Sequence, residues 1–117
     1  MYRQTVYSVF MREPTYYILT TLLDGPLHGY GIIKRTEELS NGRIRLAAGT
    51  LYGALDRLLD EKQIDVDGEE QVSGRLRRYY RLTDVGRASH AAEVTRMKAA
   101  IAAASPRLAT VRPVPST

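Results

Sequence analysis

Residues 47–59, Ala47-Ala48-Gly49-Thr50-Leu51-Tyr52-Gly53-Ala54-Leu55-Asp56-Arg57-Leu58-Leu59, constrain this chain more than any other stretch. Read on a helical period, Leu51, Leu55, Leu58 and Leu59 form one apolar stripe, while Thr50, Gly53 and Arg57 share the outer surface. Glycine in a helix interior costs about 1 kcal/mol against alanine. An outward Gly53 therefore implies a partner that approaches the backbone closely, and a DNA groove is such a partner.

The flanking segments suggest a compact mixture of helices and one hairpin. Tyr2, Val6, Val9 and Phe10 give residues 1–11 a near-helical apolar spacing that needs a partner surface. Pro14 suits the first turn of a second helix bearing Ile18, Leu19, Leu22 and Leu23, which Asp24-Gly25-Pro26 ends. A third helix opens at or beside His28, with Tyr30, Ile32, Ile33 and Leu39 as apolar contacts and Asn41-Gly42 as its stop. Arg43-Ile44-Arg45-Leu46 alternates and is expected to add a small strand before the Leu51 helix.

The period then changes from 3.6 to 2. Ile64 and Val66 alternate with acids, and after a turn near Ser73-Gly74 the segment from Leu76 to Leu82 alternates again, predicting a hairpin. Thr83-Asp84 caps an alanine-rich helix over 85–104, with Val85, Ala88, Ala92, Met97 and Ile101 as contact positions. Pro106, Pro113 and Pro115 mark residues 105–117 as a flexible tail.

The fold class expected is mainly α (α+β), a winged helix-turn-helix with an added N-terminal helix and a long C-terminal dimerisation helix. Its parts are residues 1–12 for a helix contributing to the dimer, 13–83 for the DNA-binding domain, 84–104 for the dimerisation helix and 105–117 for the tail. Two-fold dimers are the usual means by which such readers match half-sites about one helical turn apart.

At 117 residues one small domain is expected, and 17 Lys+Arg against 13 Asp+Glu give a net charge of +4 that favours polyanionic partners. Basic residues crowd Arg75-Leu76-Arg77-Arg78-Tyr79-Tyr80-Arg81, just after Asp65, Asp67, Glu69 and Glu70. The absence of cysteine excludes disulfides and thiolate metal sites. No apolar run approaches the roughly 18 residues of a membrane span, so a cytoplasmic protein without a membrane partner is expected. No catalytic residue, metal site or cofactor is expected. The two histidines, His28 and His90, have no second ligand nearby, and no glycine-rich phosphate loop or nucleophile with its base is present.

Three segments in order, Asp24-Gly25-Pro26-Leu27-His28-Gly29-Tyr30, Gly49-Thr50-Leu51-Tyr52 and Arg78-Tyr79-Tyr80-Arg81-Leu82-Thr83-Asp84-Val85-Gly86, resemble the signatures of PadR-like transcriptional regulators. The resemblance covers roughly residues 14–90, and the short C-terminal part is similar to the small subfamily with a single C-terminal helix. It implies a homodimeric DNA-binding repressor with dimer contacts from the first and last helices. Two features depart from the family pattern. Ala47-Ala48 stand where a small polar cap is usual, and Lys62-Gln63 replace a glycine followed by an aliphatic residue. The first removes a cap worth about 1 kcal/mol, leaving a helix end that a DNA phosphate can occupy. The second places a non-glycine residue at a left-handed turn.

The candidate DNA-binding residues are Thr50, Tyr52, Gly53, Arg57, Arg75, Arg77 and Arg78. Thr50 reaches a phosphate or base edge, or else caps its own helix, and Tyr52 presents its hydroxyl at the edge of the stripe. Arg57 contacts guanine or phosphate, or pairs with Asp60, while Asp56 repels phosphate unless it accepts from cytosine or meets an arginine. Alternation places Arg75, Arg77, Tyr79 and Arg81 on one hairpin face, with Tyr80 and Leu82 turned to the core. Arg75 and Arg77 are the first candidates for phosphate, Arg78 the next, and Arg81 is structural. The alternative for all of them is cross-strand pairing with the acids of the preceding strand.

His28 is expected to cap or pack its helix, and His90 to be solvated or at an interface. Tyr2, Val6, Phe10, Met97 and Ile101 are candidates for the dimer interface or for lining a site for a small hydrophobic effector. The competing function is a protein-interaction module that kept the winged fold while its acidic strand neutralised its basic one.

Overall fold

The computed structural model describes residues 11–109. The elements run α1 (Glu13–Thr21), β1 (Leu27–His28), α2 (Gly29–Leu39), α3 (Ala48–Asp60), β2 (Ile64–Val72), β3 (Arg75–Leu82) and α4 (Asp84–Ala109). Residues 1–10 of the N-terminal helix expected over 1–11, and residues 110–117 of the tail, lie outside the described residues, and Met11 is not helical.

Apolar spacing drives the core. Ile18, Leu19 and Leu22 from the first helical segment meet Ile32 of α2 and Leu51, Leu55 and Leu58 of α3, all at most 1% exposed. Complete burial of such side chains stabilises by about 1.5–3 kcal/mol each, so this cluster outweighs any single surface contact. Ile64, Tyr80 and Leu82 close the core from the hairpin, while Leu23, Ile33 and Leu59 pack at its edge. Tyr30 and Leu39, expected as apolar contacts, are instead exposed, at 67% and 38%. Both lie outside the stripe that Ile32 and Thr36 turn to the core.

The helix ends follow local chemistry. Pro14 occupies the first turn of α1, where no intrahelical donor is lost. The His28 ring accepts from the Gly31 N–H through Nδ1 at 3.2 Å, capping α2 as its position suggests. At the far end of α2, Asn41 takes φ 56° and Gly42 φ 79°, and their N–H groups bond back to Glu38 and Glu37. Helix α3 ends the same way: Lys62 donates to Leu59 at 3.0 Å and Gln63 to Leu58 at 2.9 Å, with Lys62 at φ 62°. This is a Schellman closure carrying lysine where glycine is easiest, at the position that the family resemblance singles out.

The sheet has three strands in the order β1-β3-β2, all antiparallel. Its third strand is not the expected Arg43–Leu46 segment, which is irregular, but Leu27–His28 paired with Tyr80 and Tyr79. Two residues are too few to show alternation, whereas Arg43–Leu46 alternates only because Leu46 plugs the core and Ile44 its edge while the arginines reach solvent. The hairpin turns through Ser73 at φ 52° and Gly74 at φ 79°, as predicted. Between Val66 and Gly68 the register shifts by one residue, a bulge at Asp67 that brings Glu69 opposite Arg78 and Glu70 opposite Arg77.

Helix α4 starts on a cap: the Gly86 N–H donates to the Thr83 hydroxyl at 3.0 Å. A Cβ at Gly86 would lie 2.0 Å from the Gln63 carbonyl oxygen, so only glycine lets α4 pass this close to the closure of α3. The buried face of α4 is Gly86, His90 and Glu93, with Val94 and Met97 half-buried; Val85, Ala88, Ala92 and Ile101, expected as contacts, are exposed. The helix also continues through Pro106 to Ala109, past the 104 boundary expected from the sequence. Proline here removes one internal hydrogen bond near a free end, where Arg107 bonds the Ala103 carbonyl at 2.8 Å.

His90 is a core residue, 5% exposed, and not the solvated or interface residue expected. Its ring stacks on Tyr16 with centroids 4.8 Å apart, and its Nε2 lies 2.8 Å from the Thr20 hydroxyl. That hydroxyl donates to the Tyr16 carbonyl at 2.7 Å, so it accepts from His90, whose Nε2 carries a proton. Burial, then the nearby Arg87, hold the His90 pKa below the usual histidine value, with Glu93 opposing.

Candidate nucleic-acid interface

The leucine stripe of α3 faces inward, so its opposite surface is presented without obstruction. Thr50, Gly53, Asp56 and Arg57 are all exposed. Cβ atoms built on Gly49 and Gly53 meet nothing within 4 Å, leaving the α3 backbone open to close approach from outside. Ala47 starts the helix without a side-chain cap, so the first backbone donors of α3 point outward unsatisfied by any side chain. Thr50 makes no side-chain hydrogen bond among the described residues, which removes the local-capping alternative.

Tyr52 lies at the stripe's edge, 47% exposed, with its hydroxyl close to the start of α2 at Gly29. A Cβ on Gly29 would sit 2.5 Å from that hydroxyl, so the glycine that begins α2 is what allows the two helices to interlock there. Arg57 donates to the Thr15 hydroxyl of α1 at 2.9 Å and not to Asp60. The bond ties the outer edge of α3 to α1, restricting a guanidinium that remains exposed.

The hairpin divides its arginines by register. Arg81 pairs with Asp65 at 3.1 Å and Asp67 at 3.5 Å, and Arg78 with Glu69 at 3.1 Å. The same Glu69 bond raises the Arg78 pKa first of all causes. Glu70, opposite Arg77, is engaged by the Tyr79 hydroxyl. Among the described residues neither Arg75 nor Arg77 makes an ion pair, so the two guanidinium groups nearest the turn keep their charge for another partner. The cross-strand alternative thus holds for Arg78 and Arg81 but not for Arg75 and Arg77. Surface pairs of this kind are worth about 0–1 kcal/mol, so Arg78 can exchange Glu69 for a phosphate at small cost.

A groove of about 650 Å³ joins the two regions, with Tyr52 and Asp56 on one wall, Arg75, Arg77 and Arg78 on the other, and His28 at its end. The fold thereby brings Tyr52 and three of the predicted arginines to one cleft, and leaves Thr50, Gly53 and Arg57 on the adjoining α3 surface. His28 and Tyr30 also line the groove, though the sequence assigned them capping and core roles. The short strand β1 puts them there by bringing His28 against Tyr79 with ring centroids 5.4 Å apart, and two residues leave no periodic signal in a sequence. Burial, and next Arg77, depress the His28 pKa, consistent with its place beside an unpaired cation. Of the five interface or effector candidates, Tyr2, Val6 and Phe10 lie outside the described residues. Met97 is half-buried and Ile101 exposed. Among the described residues no group of three His, Cys, Asp or Glu side chains is placed to hold a metal ion, and no helix is long and apolar enough to cross a membrane.

Known proteins resemble this chain in sequence and in fold. The chain is 40% identical over 73 residues to a transcriptional regulator of Mycobacterium tuberculosis, covering 62% of this chain and 64% of that protein. It is 47% identical over 70 residues to an uncharacterized 37.1 kDa transposon protein of Streptomyces fradiae, covering 60% of this chain and 19% of the other. The chain thus spans less than two thirds of the length of these curated relatives. Among solved structures, a PadR family transcription regulator of Clostridium difficile superposes with a TM-score of 0.69 at 24% identity, over 83% of this chain and 99% of that one. Bacillus subtilis PadR in complex with operator DNA superposes with a TM-score of 0.61 at 25% identity, over 91% of this chain and 53% of the other. The family model for the transcriptional regulator PadR-like family matches residues 18–92, which run from the α1 core through the helix-turn-helix and wing to His90 on α4, and the chain belongs to that family.

Proposed function

We propose that this chain is a sequence-specific double-stranded DNA-binding regulator that acts as a homodimer and represses transcription by occupying an operator. The observation that carries the reading is the groove that joins the open face of α3 to Arg75 and Arg77, cations with no ion pair among the described residues. The α3 surface from Thr50 to Arg57 enters the major groove, while the wing arginines hold the sugar-phosphate backbone and set register. Occupancy alone blocks transcription, so no catalytic group is required. The operator complex of the Bacillus subtilis relative supports a duplex as the partner.

Residues 13–83 are the DNA-binding part in this reading, and α4 supplies the dimer contact through its exposed Val85, Ala88, Ala92 and Ile101. One small wing domain buries little DNA surface, and pairing two of them matches half-sites one helical turn apart. A small hydrophobic effector seated beside Met97 and Ile101, between the subunits, is the ligand-responsive part of the same reading.

Salt dependence tests it directly. Arg75→Ala and Arg77→Ala should each lower the slope of log affinity against log salt by about 0.9 for every phosphate left without its arginine, for all sequences alike. Arg81→Ala, which only breaks pairs with Asp65 and Asp67, should leave the slope unchanged. Wild-type slopes in both wing variants would remove the arginine assignment. Failure of the full chain to retard its own promoter DNA, alongside tight capture of a protein, would favour the interaction-module reading instead.

A further inference from the structure

Asp56 is a carboxylate on the surface where a polyanion is proposed to dock. It is exposed and makes no hydrogen bond or ion pair among the described residues. It forms part of the groove wall on α3, one turn after Tyr52, in a lining that also holds the hairpin residues Arg75, Arg77, Arg78 and Tyr80. Of the three arginines in the groove lining, Arg78 pairs with Glu69 at 3.1 Å, and neither Arg75 nor Arg77 makes an ion pair with Asp56. Beside Asp56 the backbone at Gly53 is open to at least 4 Å beyond a built Cβ, so a base edge can come within reach of a short side chain.

A carboxylate is acceptor-only. Brought against a duplex with no donor, it loses its water and meets phosphate repulsion, so its neighbours on the duplex must offer an N–H group. The major groove offers two such groups, the N4 amino of cytosine and the N6 amino of adenine. Adenine presents its N7 acceptor beside N6, which repels a carboxylate and suits the amide of asparagine or glutamine. Cytosine presents the amino donor without an acceptor of its own beside it.

We infer that Asp56 is a specificity-determining residue that accepts from the N4 amino group of a cytosine, once in each half-site, and penalises every other base there. The inference rests on the DNA-binding reading above and adds to it the base that one residue selects. The carboxylate discriminates chiefly through its cost at a wrong base, where it stays desolvated and unpartnered.

In vitro selection from a randomised duplex library, using the full chain at one fixed salt concentration, tests this with wild type, Asp56→Asn and Asp56→Ala. Wild type should enrich cytosine at one position per half-site. Asp56→Asn should shift that position to adenine, and Asp56→Ala should accept all bases there, while the remaining positions stay as in wild type. In competition binding, replacing that C·G pair should weaken wild type roughly tenfold and Asp56→Ala by no more than about twofold. Identical preferences in all three proteins would overturn the assignment of Asp56 and leave the DNA-binding reading intact. No enrichment by wild type over a protein-free control would overturn the DNA-binding reading, and this inference with it.

Discussion

Helix α3 and the β2-β3 wing form opposite walls of one groove, yet they are held in place by different forces. Three leucines of α3 are at most 1% exposed, so the helix is pinned by burial and its outer face is left almost without internal partners. The wing beyond Tyr80 is exposed or half-buried, with no fully buried residue, and strand pairing and ion pairs hold it in place. One wall is rigid and sparsely charged; the other is richly charged but partly neutralised by its own acids. A partner therefore meets shape and base-edge chemistry on α3 and adjustable charge on the wing.

Four changes would break or sharpen that contrast. The largest effect is expected from Leu55→Ala, which removes the centre of the α3 stripe and should destabilise by about 2–5 kcal/mol, read as a fall in denaturation midpoint. A loss below about 1 kcal/mol would mean that α3 is not held by core burial. Next is Gly86→Ala, whose Cβ would meet the Gln63 carbonyl oxygen at 2.0 Å. The backbone must shift, costing about 1–3 kcal/mol and moving the end of α3 relative to α4. Thermal melts of this variant matching wild type would show that the α3–α4 junction has slack.

Acid should weaken the body before it weakens the wing. The folded-state pKa of His90 lies below its unfolded value of 6.5, so its contribution is complete above 6.5 and is lost as pH falls from there through the folded value. In that window the unfolded chain binds more protons, and stability rises with pH. His28 shifts in the same direction. Glu13 and Glu93, both lowered by arginine hydrogen bonds, act only at more acid pH, where their stabilisation is lost as they protonate. His90→Gln should flatten the fall in melting temperature between neutral pH and pH of about 5. An unaltered pH profile would assign the effect elsewhere.

The smallest effect is expected on the wing itself. Glu69→Gln releases Arg78 from its pair and should cost about 0–1 kcal/mol in stability, while steepening the salt dependence of DNA binding by up to about 0.9 in slope. An unchanged slope would show that Arg78 does not reach phosphate even when free.

Long, periodic segments were legible in the sequence because burial enforces their spacing: the leucines of α3, the stripe of α1, the hairpin and its turn all stand where expected. The left-handed closure at Lys62 and the missing cap at Ala47 came from the family resemblance, and each is set by residues within one turn. Elements made by distant partners were not. Strand β1 exists only because β3 runs beside Leu27–His28, and α4 buries His90 because Tyr16 and Thr20 lie against it. Alanine-rich composition favours a helix without choosing a face, so Val85, Ala88, Ala92 and Ile101 were assigned to contacts they do not make within one subunit.

The division among the wing arginines shows the limit most clearly. Sequence alone determined that a cluster of arginines follows a cluster of acids across a tight turn, and that an α3 helix offers an uncluttered outer face. Which arginines remain unpaired was decided in the assembled sheet: its register sets Glu69 against Arg78 and Glu70 against Arg77, but the Tyr79 hydroxyl takes Glu70, and Arg75 has Val72 opposite it. Spacing along a chain determines which side chains share a face, but ion pairing depends on distances of a few ångströms between strands, and only the assembled sheet sets those.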